Sequence, residues 1–271
     1  MNAHAPLDTQ PVLIARPEPG IGVITLDRPG SRNALSCATM TALSEAIAEL
    51  GTDETIKAIV LEANGPAFSA GHDLKELTAH RADPDGGRAF YTATMTQCSQ
   101  LMQAIVSCQK PVIAAVEGIA TAAGCQLVAT CDLAVAADTA TFATPGVNIG
   151  LFCSTPMVAL SRNVPRKRAM EMLLLGEAMN AGQAADYGLV NRVVPKEQVR
   201  EAALKYARAI ASKSQATVAI GKRAFYEQAE MKLAGAYTHA AGVMVTNMMT
   251  ADAEEGICAF LEKRSPEWKG H

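Results

Sequence analysis

The sequence predicts an α/β protein, and three observations carry that reading. Short apolar runs of strand character alternate with helical stretches as far as about residue 194. From Pro195 to Leu261 the pattern is almost entirely helical. Of the 271 residues, 49% are apolar and 19% charged, which suits a folded chain with a sizeable core and excludes disorder. Aromatics reach only 4%, so the core must be built from Ala, Val, Leu, Ile and Met.

The elements follow in order. Residues 1 to 10 read as a flexible tail. "PVLIARPEPGIGVITLDRP" reads as two strands broken by the turn signal "RPEPG". Ser36 to Leu50 has helical spacing, with Ser36 as N-cap. "KAIVLEA" (57–63) is a buried strand, and "NGPAFSAG" (64–71) a loop punctuated by Gly and Pro. "RADPDGG" (81–87) is a polar turn. Phe90 to Gln109 is a long helix, and 111–116 a strand. Gly124 to Thr130 reads as a helix and 132–137 as a strand. Pro156 to Leu175 is helical with a break near Pro165. A short helix over 181–187 and a strand over 188–195 complete a core domain expected to span 11–195. A helical region over 196–271 follows. Its "AGVMVTNMM" stretch (241–249) reads as a core or subunit-contact face, with a ligand groove as the alternative.

Composition narrows the function classes. A formal net charge of −3 offers no general basic surface for nucleic acid. No run approaches the ~18 apolar residues of a membrane span. The seven cysteines form no CxxC pair and no Cys/His metal spacing, so no metal site is expected. They read as free thiols of a cytoplasmic protein. "MNAHAPLDTQP" lacks the basic and apolar segments of a secretory signal and the Arg of a transit peptide.

Two turns carry the chemistry. "FSAGHDL" (68–74) and "TAAGCQL" (121–127) each follow a strand and open a helix. Their small residues leave peptide N–H groups unobstructed, at helix ends that favour negative charge. Two such donors facing one oxygen form an oxyanion hole, worth about 3 kcal/mol per donor to a developing enolate. Tight packing turns would use the same residues, so that alternative stays open on the residues alone.

The motifs "ITLDRPGSRNALS" (24–36), "GPAFSAGHDLKEL" (65–77), "KPVIAAVEGIATAAGCQLVATCDLAVA" (110–136), "FATPGVNIGL" (142–151), "GEAMNAGQAADYGLVNRVVP" (176–195) and "EEGICAFLEKRSPEW" (254–268) occur in one order. In this the chain resembles the enoyl-CoA hydratase/isomerase family, the crotonase superfamily, from about Val12 to Trp268. The resemblance implies a spiral of ββα turns with a C-terminal helical trimerisation region. It implies a homo-trimer or hexamer that binds an acyl-CoA thioester, with coenzyme A as part of the substrate and no separate cofactor. It implies a lyase or isomerase of fatty acid metabolism. The thioester carbonyl would lie between the peptide N–H groups of Ala70 and Ala123. Ala123 stands where Gly is more usual, which leaves the N–H free provided its φ is negative.

The two catalytic glutamates of the hydratases would fall at Gln126 and Gly146, so both acids are missing. One well-placed acid/base group contributes ~10²–10⁴ in rate, and ordinary hydration is therefore expected to be weak. Gln126 is nearly isosteric with Glu and should point at substrate. Gly146 is expected to leave a hole beside the reacting carbons. In naphthoate synthases, family members with Gly there, a bound bicarbonate serves as base; Thr144 would donate to such an anion. Other replacements stay open. His72 either titrates near neutrality or is held by the scaffold. Cys153 is either a nucleophile or a buried thiol. Glu117 is either a helper or a structural acceptor. Asp73 reads as a helix-start residue, and Asp132 as structural. For coenzyme A, the resemblance implies phosphate contacts from Arg28, Arg32, Lys263 and Arg264. It implies a pantetheine path along Ala34, Leu35, Phe68 and Leu74. Gly71, His72, Asp73, Gly124, Pro145 and Leu151 complete the substrate-binding set. A catalytically weak acyl-CoA-binding protein is the alternative reading.

Overall fold

The computed structural model describes residues 10–271; the tail expected over 1–10 lies outside them up to residue 9. The first strands are β1 (Val12–Glu18) and β2 (Gly20–Leu26), paired antiparallel with a bulge between Ala15 and Glu18. The bulge lets β1 run through Arg16 and Pro17, residues expected in the turn. Helix α1 (Cys37–Thr52) starts at Ser36, whose Oγ accepts from Thr39 N at 3.2 Å, the expected cap. It buries Met40, Leu43, Ile47 and Leu50.

Three ββα turns then stack. The first is β3 (Ile56–Ala63), β4 (Ala67–Ser69), α2 (Leu74–Ala79) and α3 (Arg88–Ser107). The second is β5 (Val112–Val116), β6 (Ile119–Thr121) and α4 (Ala123–Thr130). The third is β7 (Leu133–Ala137), β8 (Thr141–Ala143), α5 (Pro156–Asn163) and α6 (Arg166–Leu175). After them come β9 (Met179–Asn180), α7 (Ala181–Asp186) and β10 (Arg192–Val194).

The long strand of each turn enters a six-stranded sheet of order β1-β2-β3-β5-β7-β10. The short one enters a second sheet of order β4-β6-β8-β9. This is the predicted α/β spiral. The short strands β4, β6 and β8 are not marked in the sequence, where β4 lies inside the expected loop 64–71, because three-residue strands leave no periodicity to detect. They matter most for the site. β4, β6 and β8 pair in parallel, with Ser69 opposite Ala120 and Thr121 opposite Ala143. Their C-terminal ends therefore lie side by side, and so do the segments leaving them at 70–72, 122–123 and 144–146.

The helical remainder is α8 (Val199–Ala211), α9 (Gln215–Ala229), α10 (Leu233–Met248) and α11 (Ala251–Glu262). The boundary expected at 195 falls inside the core. Helix α8 packs on β2, β3, β5 and β7, burying Val199, Ala203 and Ala207 completely. Only α9, α10 and α11 stand apart, and neither α9 nor α10 has a buried residue. Asp132 ties α9 to the sheet. Its carboxylate accepts from Val112 N at 2.7 Å, Lys222 Nζ at 2.7 Å and the Tyr226 hydroxyl at 2.9 Å. No described helix is long and apolar enough to cross a membrane.

Candidate active site

The segment between Arg28 and Ser36 stitches the first turn in place. Asn33 is buried, at a left-handed φ of 51° that Asn tolerates better than most residues. Its Nδ2 donates to the carbonyls of Asn64 (2.9 Å) and Ala67 (2.8 Å), and its Oδ1 accepts from Arg28 N at 2.8 Å. Ser69 Oγ donates to Asn33 O at 2.8 Å. Neither Asn33 nor Ser69 was singled out from the sequence. The signal was an Asn closing the turn-rich stretch "DRPGSRN", where Asn tolerates the left-handed region and its side-chain amide can bond backbone.

The same stitching corrects the oxyanion assignment. Ala70 N–H donates to Arg32 O at 3.0 Å and is not free for a ligand. Leu35 N donates to Gly71 O at 2.7 Å, and Leu35 bridges His72. Among the described residues, the His72 peptide N–H has no acceptor. The free donor of this turn is two residues beyond the expected one.

The second turn presents Ala123 at the start of α4. Its N–H opens α4 and has no acceptor among the described residues. Ala123 is not among the residues of positive φ. The strain sits one residue earlier, where Ala122 takes φ 52° and ψ −120°, a conformation normally left to Gly. Ala122 N is fixed by Ala143 O at 2.9 Å.

The two turns touch. A Cβ on Gly124 would overlap the Ser69 carbonyl. A Cβ on Gly71, at φ 84°, would lie 3.1 Å from Ala123 N and 2.8 Å from Ala122 Cβ. The small residues thus bring the peptides of 71–72 and 122–123 together.

Gln126 is 4% exposed. Its Oε1 receives only a long contact from the Cys98 thiol at 3.9 Å, and its Nε2 donates to no acceptor among the described residues. Thr144 is fully buried, and its Oγ1 has no partner among the described residues. Both ring nitrogens of His72 are also buried and, among the described residues, unpartnered. Burial pushes this imidazole down from its ordinary value. The Leu35 backbone and the Glu76 charge pull the other way, Leu35 without a hydrogen bond of acceptable geometry.

The acids of the first turn are already committed. Asp73 Oδ1 accepts from Lys75 N (3.0 Å) and Glu76 N (3.3 Å), the helix-start role expected of it. Glu76 Oε2 accepts from Cys37 N at 3.0 Å. Glu117 is half-buried at the end of β5.

The hole expected at Gly146 is filled. A Cβ there would lie 2.6 Å from Leu151 O and 2.8 Å from Cys153 Sγ. Thr144, two residues earlier, has a buried hydroxyl with no partner among the described residues. Cys153 is 8% exposed, and burial pushes its thiol up, which favours the inert reading.

Further expected contacts divide. Leu35 and Phe68, each 1% exposed, belong to the hydrophobic core. Ala34 is buried, whereas Leu74 and Leu151 are half exposed. Arg264 is held by Glu255 at 2.6 Å and Glu262 at 2.7 Å, so its guanidinium is occupied by carboxylates. Arg28 donates to Ser36 Oγ at 3.2 Å. Arg32 and Lys263 are exposed. Two cavities of about 370 and 610 Å³ border α9 and contain no residue of either turn.

Residues 16–271 match the family model described as enoyl-CoA hydratase/isomerase. The chain belongs to this family. A rat relative, enoyl-CoA hydratase domain-containing protein 3, mitochondrial, is 48% identical over 93% of this chain and 83% of its own. The human protein of that name is 48% identical over 94% and 82%. Among solved structures, an enoyl-CoA hydratase from Mycobacterium smegmatis superposes with TM-score 0.90 at 51% identity, over 95% of this chain and 98% of that one. The human domain-containing protein 3 gives 0.90 at 47%, over 95% and 100%. The crotonase-type fold expected from the motifs is therefore established. The expectation of a cytoplasmic protein is overturned, because the rat and human relatives are both named mitochondrial.

Proposed function

We propose that this family member binds an acyl-CoA thioester and stabilises its enolate between the peptide N–H groups of His72 and Ala123. The observation that carries this is the pair of acceptor-free N–H groups on two turns in van der Waals contact. Each developing charge on the thioester oxygen would meet two preorganised donors, one of them at the N-terminus of α4. Arg32 and Lys263 are the exposed cations suited to the phosphates of coenzyme A. The acid/base partner is non-standard. Gln126 stays uncharged, and Gly146 has no side chain and no space for one.

Assembly as a homo-trimer or hexamer fits the apolar faces of the last helices. Leu233, Tyr237, Met249 and Phe260 are each more than two-thirds exposed, a density suited to burial against another copy.

A second reading has its own support. The missing acids and the closed space at Gly146 suit a protein that binds acyl-CoA and turns it over weakly. Cinnamoyl-CoA separates the site from its absence. Polarisation of the thioester carbonyl shifts the absorption of this chromophore to longer wavelength. A red shift that is saturable and reversed by free acyl-CoA supports the oxyanion hole. Binding with an unshifted spectrum contradicts it.

A further inference from the structure

Away from the two turns, two adjoining chambers run along α9. The larger, of about 610 Å³, lies between α9 and the end of α3. Val106, Cys108, Ala216, Ala219 and Ile220 give it an apolar wall. The smaller, of about 370 Å³, lies between α9 and α10 and is lined in part by Thr238, His239 and Val243. Ile220 and Arg223 line both, so the chambers meet at these two side chains. The wall is preformed. Lys222 Nζ ties α9 to the chain at the end of α3, donating to Ile105 O and Lys110 O at 3.1 Å each and to Asp132 at 2.7 Å.

Arg223 has no partner of its own. Lys222, the residue before it, is matched by Asp132, whereas Arg223 makes neither a hydrogen bond nor an ion pair among the described residues. Glu227, one helical turn on, is the acid that an i,i+4 pair would supply. Its Oε2 instead lies 3.1 Å from His239 Nε2, close enough for attraction though not aligned as a hydrogen bond. Among the described residues, Glu227 is also the one acid that lines either chamber. Burial pushes the Cys108 thiol up, and the nearby charges of Lys222 and Lys110 pull against it, so the larger chamber has further positive charge beside it. A guanidinium pairs a planar carboxylate through two parallel bonds. An apolar wall next to it favours a hydrocarbon body on that carboxylate. Inorganic phosphate would leave the apolar wall unused, and a cation would be repelled by Arg223.

We propose that these chambers form a binding site for an aliphatic carboxylate, with the carboxylate on Arg223 and the hydrocarbon chain in the larger chamber against Val106, Ala216, Ala219 and Ile220. No residue of either turn lines the chambers, so the site is separate from the paired N–H groups and does not rest on the acyl-CoA reading. The occupant bridges the end of α3 and α9, beside the Asp132 carboxylate that accepts from Lys222 and Tyr226. It therefore stabilises the attachment of α9 to the sheet.

The test uses the full-length protein with octanoate, octanol and butyryl-CoA. Calorimetry should show saturable octanoate binding. Arg223→Gln changes an exposed side chain that bonds to nothing in the fold, and should weaken that binding about tenfold or more. Ala219→Leu narrows the larger chamber with the charge intact and should weaken it too. Octanol should bind the wild type no better than it binds Arg223→Gln. Cys108 reports on the site itself. Octanoate should slow its alkylation severalfold, read by peptide mass spectrometry, while the exposed Cys258 reacts as before. Absence of saturable octanoate binding overturns the proposal. Binding that survives Arg223→Gln and is matched by octanol overturns it, because the site is then merely apolar. Octanoate displaced by butyryl-CoA overturns it by placing the carboxylate in the thioester site. Cys108 that reacts only once the protein is diluted to monomers overturns it by showing that a second copy fills the chambers.

Discussion

Gly124 lies directly against the carbonyl of Ser69, with no room for a Cβ between them. This contact joins the start of α4 to the end of β4 and sets the spacing of the two free N–H groups. The neighbour is backbone, and backbone cannot rotate out of the way as a side chain can. Gly124→Ala should therefore cost about 1–3 kcal/mol of stability. It should also weaken acyl-CoA binding in whatever folded protein remains. Urea melts and a CoA-thioester titration check the two effects separately. A stable variant with normal affinity would show that the turns are not locked by this contact.

Ala122 makes the opposite case. Its φ of 52° and ψ of −120° store strain of roughly 1–3 kcal/mol in a residue with a Cβ. Ala122→Gly should release part of that, tempered by the greater freedom of Gly in the unfolded chain. A gain of about 1 kcal/mol in unfolding free energy is expected. Loss of stability would mean that Ala122 Cβ contributes packing that outweighs its strain.

Restoring the missing acids tests the shape of the pocket. Gln126→Glu changes one atom type in a buried position and should give a folded protein. Gly146→Glu must displace Leu151 O at 2.6 Å and Cys153 Sγ at 2.8 Å. A correctly placed acid contributes ~10²-fold or more, but misplacement by about 1 Å removes most of that. Crotonyl-CoA hydration by the double variant should therefore rise less than tenfold over the wild type. A hundredfold gain would show that the 146–153 segment opens readily.

Acid should release the C-terminal tail. Asp252 is 1% exposed, and burial alone would raise its carboxyl. Hydrogen bonds from Ser214 Oγ (2.6 Å), Lys269 N (2.6 Å) and Gly270 N (3.1 Å) outweigh burial and hold it below the usual value. A carboxyl depressed in the folded state stabilises that state above its unfolded pKa, about 3.9, and loses the contribution as pH falls through the folded value. The sequence has a single Trp, and Trp268 Nε1 donates to Ser212 O at 2.9 Å beside this anchor. Its fluorescence should be constant from about pH 8 to 5 and shift to the red below about pH 4. Asp252→Asn should bring the shifted spectrum at neutral pH.

Much of this fold was legible because its long strands and helices repeat at clear periods. Strand β3, the cap at Ser36 and the break at Pro165 fall where the residues place them. The short strands β4, β6 and β8 did not show, since three residues carry no alternation. That α8 covers the main sheet was not legible, because a helix covering a sheet and a helix covering another helix share one amphipathic pattern. The site was legible as two small-residue turns. Which N–H stayed free was not. That depended on Arg32, distant from Ala70 in sequence, whose carbonyl captures the Ala70 donor. The filled space at Gly146 depended likewise on how Leu151 and Cys153 fold back.

The central claim concerns one oxygen atom and two peptide nitrogens. A crystal structure with acetoacetyl-CoA bound tests it most directly. The thioester oxygen should lie about 2.7–3.1 Å from both His72 N and Ala123 N, with Ala70 N still bonded to Arg32 O. A thioester oxygen that meets neither nitrogen, or one that displaces Arg32 to reach Ala70 N, would contradict the account.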